Sequence, residues 1–123
     1  MHELSVAQGI VTTIKTQLAK QGVTRPVEQV RIRAGRLNAI VPESLTFHFD
    51  VIKREHPQFA KAELVIETDP LTARCPRCND GVHTLEEPVL LCPKCDGAMT
   101  VVSGQDLWVE SVIVTDEDDG TIA

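Results

Sequence analysis

Apolar residues recur at three- and four-residue steps through Leu4, Ala7, Val11, Ile14 and Leu18, while Lys15, Gln17 and Lys20 fall on other faces. That period predicts an amphipathic helix from Leu4 to Gln21, stopped at Gly22. After the Thr24-Arg25-Pro26 turn the period drops to two in Val30-Arg31-Ile32-Arg33-Ala34, the pattern of a strand with one wet face, and Gly35 ends it. A second helix is expected to open at Val41-Pro42-Glu43-Ser44, because the missing N–H of Pro42 costs little in a first turn. Leu45, Phe49 and Ile52 mark its inner face and Pro57 its end. Ala62 to Glu67 reads as a second strand, broken at Asp69-Pro70. Leu107-Trp108-Val109 and Val112-Ile113-Val114 read as one long strand, bulged at Glu110-Ser111.

Four cysteines lie between the second strand and the last. The order helix, strand, helix, strand, cysteine module, strand predicts an α+β fold: two helices on a small three-stranded sheet, with an inserted zinc-ribbon-like module. The expected division is residues 1–70 with 104–123 for the α/β body, and 71–103 for the insertion.

Composition narrows this picture. In 123 residues only Phe47, Phe49, Phe59 and Trp108 are aromatic, so the core must be mostly aliphatic. No apolar run approaches the roughly 20 residues of a membrane span, and the first five residues lack the basic and apolar regions of a signal peptide. A cytoplasmic protein without membrane contact is expected. The net charge is −6, but Asp116, Glu117, Asp118 and Asp119 form one run, read as a solvated tail, and the rest is nearly balanced. Phosphate-tracking proteins carry a basic face, and none is visible.

Cys75-Pro76-Arg77-Cys78 and Cys92-Pro93-Lys94-Cys95 are the strongest chemical signals. Two residues between paired thiolates allow a tight turn that aims both sulfurs at one ion, and a second such knuckle completes a tetrahedron. Val82 to Leu91 is expected to supply the connecting hairpin. Two matched copies favour one shared ion over disulfides or a redox dithiol, and zinc over iron. With all four positions filled by Cys75, Cys78, Cys92 and Cys95, that zinc has no room for substrate and is structural. Neighbouring His83 reads as solvated or as a partner of the site.

At the amino terminus, the α-amine of Met1, the peptide nitrogen of His2 and its imidazole can reach one ion from the same side. A fourth nitrogen from the next peptide would complete a square of donors suited to Ni(II) or Cu(II). Glu3 is placed to orient the imidazole, or to favour the positive end of the first helix. Taken bare, this tripeptide is weak evidence.

The sequence Met1-His2-Glu3-Leu4-Ser5, the stretch Gly35-Arg36-Leu37 followed by Pro42-Glu43-Ser44-Leu45-Thr46-Phe47, the two Cys-Pro-x-Cys knuckles and Gly104-Gln105-Asp106-Leu107 occur in one order. In this combination, from Met1 to about Thr115, the chain resembles the HypA/HybF family of hydrogenase nickel-incorporation proteins. The resemblance implies a nickel metallochaperone for [NiFe]-hydrogenase maturation, not an enzyme, with nickel as cargo and zinc as a structural ion. It places nickel binding on His2, with Met1 and Glu3 beside it, and zinc on the four cysteines. It further implies a maturation GTPase and the hydrogenase large subunit as partners, and a contribution to urease nickel supply in some relatives; the sequence leaves monomer and homodimer both open. One departure is Asp96 after the second knuckle, where many zinc ribbons place glycine; here the glycine is Gly97. The knuckles also lack the flanking histidines of some relatives.

The alternative is a zinc-ribbon interaction or nucleic-acid-binding module without nickel transfer. Arg74, Arg77 and Lys94 against Asp80, Glu86, Glu87 and Asp96 offer such a module little attraction for phosphate. An enzyme reading finds no phosphate loop, no nucleophile elbow and no histidine pair one helical turn apart. His48, His56, Asp50 and Glu55 read as ordinary surface or partly buried residues.

Overall fold

The computed structural model describes residues 2–116, apart from the side chain of His2. Most of the acidic run therefore lies outside the described residues; its first member, Asp116, is exposed. The chain forms two compact units. Arg33–Ala39 with Glu67–Trp108 make the cysteine-bearing one, and the rest of the described chain makes the other.

The first unit is built on α1 (His2–Lys20) and α2 (Pro42–Ile52), which pack on each other. α1 ends in a Schellman turn: Gly22, at φ 71°, donates to the Ala19 carbonyl and Val23 donates to Leu18. The buried stripe is Ala7, Ile10, Val11 and Ile14, facing the expected Leu45, Phe49 and Ile52 of α2. Leu4 and Leu18 are only half-buried, because a stripe held to one face over five turns drifts off the contact at both ends. α2 stops at Ile52 rather than at Pro57, and two 3-10 turns, Lys53–Glu55 and Pro57–Phe59, follow. Pro57 forces His56 into extended backbone (φ −130°), and the second turn drops Phe59 into the core.

Strand β1 (Val27–Gly35) is the centre of a three-stranded sheet ordered β2-β1-β6, with β2 at Glu63–Asp69 and β6 at Leu107–Val114. Val27, Val30, Ile32 and Ala34 of β1 are buried. The sequence places this strand three residues too late, because Val27-Glu28-Gln29-Val30 breaks strict alternation. Along β6 the exposure alternates until Glu110 and Ser111, two exposed neighbours where its phase reverses.

In the second unit a further sheet is present that the sequence does not announce, ordered β4-β3-β5. Its strands are β3 (Leu71–Arg74), β4 (Val82–Leu85) and β5 (Thr100–Ser103). β3 pairs antiparallel with both neighbours, Ala73 lying opposite His83 on one side and Val101 on the other. The stretch expected as a hairpin between the knuckles supplies only β4, which pairs with β3; Leu91 instead bridges to Ala98 across the second knuckle. Four-residue strands carry too few alternations to be read from a pattern. Two 3-stranded sheets and two helices give the α+β class.

Two glycines lock this unit. Gly35 donates to the Asp106 carbonyl at 2.7 Å and Leu37 donates to Gly104 at 2.8 Å. A Cβ on Gly35 would stand 2.2 Å from the Gly104 carbonyl carbon, and one on Gly104, at φ 101°, would stand 2.6 Å from Pro70 O and Leu71 Cα. The backbones themselves are in contact, so only glycine fits both places. Gly35→Ala and Gly104→Ala should each cost about 3 kcal/mol, since no flexible side chain can yield. Thermal unfolding that matched the native chain would show the contact to be looser than this.

Candidate metal centres

Each knuckle turns on the same backbone device. After the second cysteine of each pair, Asn79 (φ 48°) and Asp96 (φ 59°) adopt the left-handed conformation. Asparagine and aspartate enter that region more readily than other side chains. The departure from glycine at Asp96 is therefore no obstacle to the turn. In both knuckles this residue donates back to the first cysteine, Asn79 to Cys75 O and Asp96 to Cys92 O, each at 2.8 Å. Gly97 lies beside the second turn because a Cβ there would press on Cys95 Sγ at 3.2 Å.

The result is one cluster of sulfurs. All four Sγ atoms lie within 4.8 Å of one another. Cys75 and Cys95 are 3.6 Å apart and Cys78 and Cys92 3.8 Å. Zinc–sulfur bonds of about 2.3 Å in a tetrahedron require sulfurs about 3.8 Å apart. No disulfide joins them. Backbone N–H groups of Cys78, Lys94 and Gly97 point at Cys75, Cys92 and Cys95, each at 3.4 Å, as donors do toward anionic sulfur. Cys75 and Cys92 are fully buried, with Ala73 and Met99 in the same core and Cys78, Cys95, Leu85 and Leu90 packed against it. The donor set, its spacing and its burial fit a tetrahedral thiophilic ion, and the residues that would hold it are the four that the sequence selects.

Crowded thiols titrate unequally. The backbone N–H of Cys78 is the main cause that lowers Cys75 to about 7, whereas hydrogen bonding to Cys95 and then Cys92 pushes Cys78 up to about 12. In the metal-free chain Cys78 thus keeps its proton at neutral pH, and Cys75 keeps its own only below about 7. Metal binding must displace whatever protons remain. More protons should be released at pH 6 than at pH 8, and affinity should fall as pH falls, more steeply below about 7. Calorimetry in buffers of different ionisation enthalpy counts these protons. A count that did not change with pH would contradict the assignment of Cys75.

A polar group that the sequence does not single out flanks the sulfurs. Asp80, just beyond the first knuckle, binds Lys94 Nζ of the second knuckle at 2.7 Å through Oδ2, and His83 Nε2 at 2.9 Å through Oδ1. Lys94 first, then His83, holds the Asp80 carboxyl well below its usual range, and Asp80 raises Lys94 in return. His83 is therefore held by a partner rather than simply solvated. The sequence signal for this triad is no more than opposite charge near the two knuckles.

At the other candidate centre, α1 begins at His2, and Met1 and the His2 side chain lie outside the described residues. Glu3 is described. Its Oε2 accepts from the backbone N–H of Val41 at 3.3 Å, and Val41 is the residue that precedes α2. Glu3 thus carries its charge to the positive end of α2, which has no side-chain cap of its own. The remaining histidines have local roles. His48 donates through Nδ1 to the Ser44 carbonyl at 2.8 Å and meets the Phe47 ring edge-on, while His56 Nδ1 lies 3.1 Å from Lys15 Nζ. Among the described residues, the four cysteines are the one group of side chains clustered as metal ligands.

Fold and cluster together define a small α+β protein whose paired knuckles gather four cysteine sulfurs in the arrangement of metal ligands. Comparison with known proteins gives the family. Residues 1–114 match the model for HypA, hydrogenase/urease nickel incorporation, metallochaperone. The chain is 35% identical to the hydrogenase maturation factor HypA of Desulfatibacillum aliphaticivorans over 97% of its length and 91% of that protein. It is 42% identical to that of Chloroflexus aurantiacus over 87% of its length and 93% of that protein. The solution structure of the nickel metallochaperone HypA from Helicobacter pylori superposes with a TM-score of 0.67 at 19% identity, covering 94% of this chain and 98% of that one. A second HypA solution structure gives 0.70 at 20% identity, over 95% and 98%. This chain belongs to the HypA family of hydrogenase/urease nickel-incorporation metallochaperones, as its sequence motifs indicate. Among the described residues no helix is long and apolar enough to cross a membrane.

Proposed function

We propose that the chain delivers nickel for [NiFe]-hydrogenase maturation from a site at its amino terminus, and keeps zinc in the Cys75, Cys78, Cys92 and Cys95 cage as a structural ion. Nickel is cargo. Its donors are the Met1 amine, the peptide nitrogen and imidazole of His2 and the next peptide nitrogen, with Glu3 as the acidic neighbour. Zinc, when bound, supplies folding energy to the cysteine module, of order 10 kcal/mol or more. The α/β body carries the first site and residues 71–103 carry the second, in a cytoplasmic protein whose partners are the maturation GTPase and the hydrogenase large subunit.

The observation that carries this reading is where α1 begins. The first four N–H groups of an α-helix have no acceptor within it. A helix that starts at His2 therefore leaves the peptide nitrogens of His2 and Glu3 able to lose a proton to a metal without breaking a helical hydrogen bond. Donors at such an end can be replaced one at a time, which suits transfer by ligand exchange.

Nickel titration of the native chain and His2→Ala tests the reading. The native chain should bind one nickel, and His2→Ala should bind it about a hundredfold more weakly at unchanged zinc content, since square-planar nitrogen sites depend on the imidazole. Native affinity should also fall between neutral and mildly acidic pH, as protons compete for the imidazole and amine. Equal affinity in the two proteins would move the nickel site elsewhere.

A further inference from the structure

The charged triad beside the cysteine cage joins two separate stretches of chain, 80–83 and the second knuckle. Asp80 follows the first knuckle, Lys94 lies between the two cysteines of the second, and His83 belongs to β4, opposite Ala73 of β3. One carboxylate holds both partners, one on each oxygen. Within the cage the two knuckles approach through their sulfurs, Cys75 to Cys95 and Cys78 to Cys92. Once the ion leaves, the bonds that hold those sulfurs together are gone. A tie across the knuckles that does not pass through the metal would keep them from drifting apart.

We propose that Asp80 is a latch for the metal centre: by bridging Lys94 and His83 it holds the second knuckle and β4 against the first, and so slows loss of zinc. The inference rests on the four-cysteine reading of the cage. Asp80 touches no sulfur, so it is a positioning residue. Its side chain is 24% exposed and that of Lys94 65%. The pair is therefore open to salt, and its effect belongs to the modest class of surface ion pairs. The effect is expected on the rate of release rather than on the identity of the ligands, because the turns that aim the sulfurs are made by Asn79, Asp96 and backbone bonds.

The test is zinc release from the full chain to an excess of a coloured chelator, at low and at about 1 M salt, for the native protein, Asp80→Asn, Lys94→Gln and the double variant. Asp80→Asn should release zinc about three- to fivefold faster at low salt. The difference should shrink at high salt, where charges are screened over about 3 Å. Lys94→Gln should add little once Asp80 is gone, while cobalt substituted for zinc shows an unchanged four-thiolate spectrum in every variant. Native release rates for Asp80→Asn, or two single effects that simply add, would overturn the latch. Absence of one tightly held zinc in the native chain would instead overturn the cage reading. Should Asp80→Asn lose its fold, the comparison of native chain with Lys94→Gln across the salt series decides, with no salt-dependent difference counting against the latch.

Discussion

Cys92→Ser should lose its zinc. Cys92 is fully buried in the cage core, and its sulfur accepts from the Lys94 N–H and lies 3.8 Å from Cys78 Sγ. A serine oxygen at that position is a poorer ligand for a soft site, and the remaining three sulfurs leave the tetrahedron open. Zinc affinity should fall about a hundred- to a thousandfold, a quarter or so of the binding free energy of such sites. Because the short sheet of the second unit packs on a core built around the ligands, the loss should appear as unfolding there. Its sheet has strands of four residues, and its central core includes two of the ligands themselves. The helical unit has its own core of Ile10, Val11, Ile14, Leu45, Phe49 and Phe59. Zinc analysis combined with amide exchange checks both parts: Cys92→Ser should lose zinc and lose protection across Glu67–Trp108 while α1 and α2 keep theirs. Full zinc content after purification through a chelator would contradict the four-sulfur cage.

A short extension before Met1 should be as damaging to nickel binding as His2→Ala. Such an extension turns the α-amine into a peptide nitrogen and moves His2 away from the terminus, but leaves the apolar stripe of α1 untouched. Nickel affinity should fall about a hundredfold, with zinc content and helical circular dichroism unchanged. Removing the extension with a protease should restore binding. If the extended chain bound nickel as tightly as the native one, the amine would have no part in the site and the side chains alone would have to hold the ion.

Much of this molecule is legible in its sequence, for identifiable reasons. The helices have long periods, and Leu45, Phe49 and Ile52 fall where a 3.6-residue repeat puts them. The knuckles are legible because two residues between cysteines leave few ways to fold. Ile10 is missed because it interrupts a simple chain of steps, although it shares the face of Ala7, Val11 and Ile14. β3 and β5 are missed because Leu71–Arg74 and Thr100–Ser103 are stabilised by their partners and the cage rather than by their own pattern. Gly35 and Gly104 stand in motifs far apart in sequence, and nothing in either says that their backbones touch. The Asp80 triad is hidden for a similar reason: charge pairs across 14 residues become visible only once the turns that join them are known.

Two metal centres with different donor atoms imply two different spectra from one loaded chain. X-ray absorption at the zinc and nickel edges of protein carrying one equivalent of each is the most direct measurement. Zinc should show four sulfurs at about 2.3 Å, and nickel a shell of nitrogen and oxygen alone, with imidazole scattering that disappears in His2→Ala. Sulfur in the nickel shell, or nitrogen replacing sulfur around zinc, would contradict the separation of cage from cargo site.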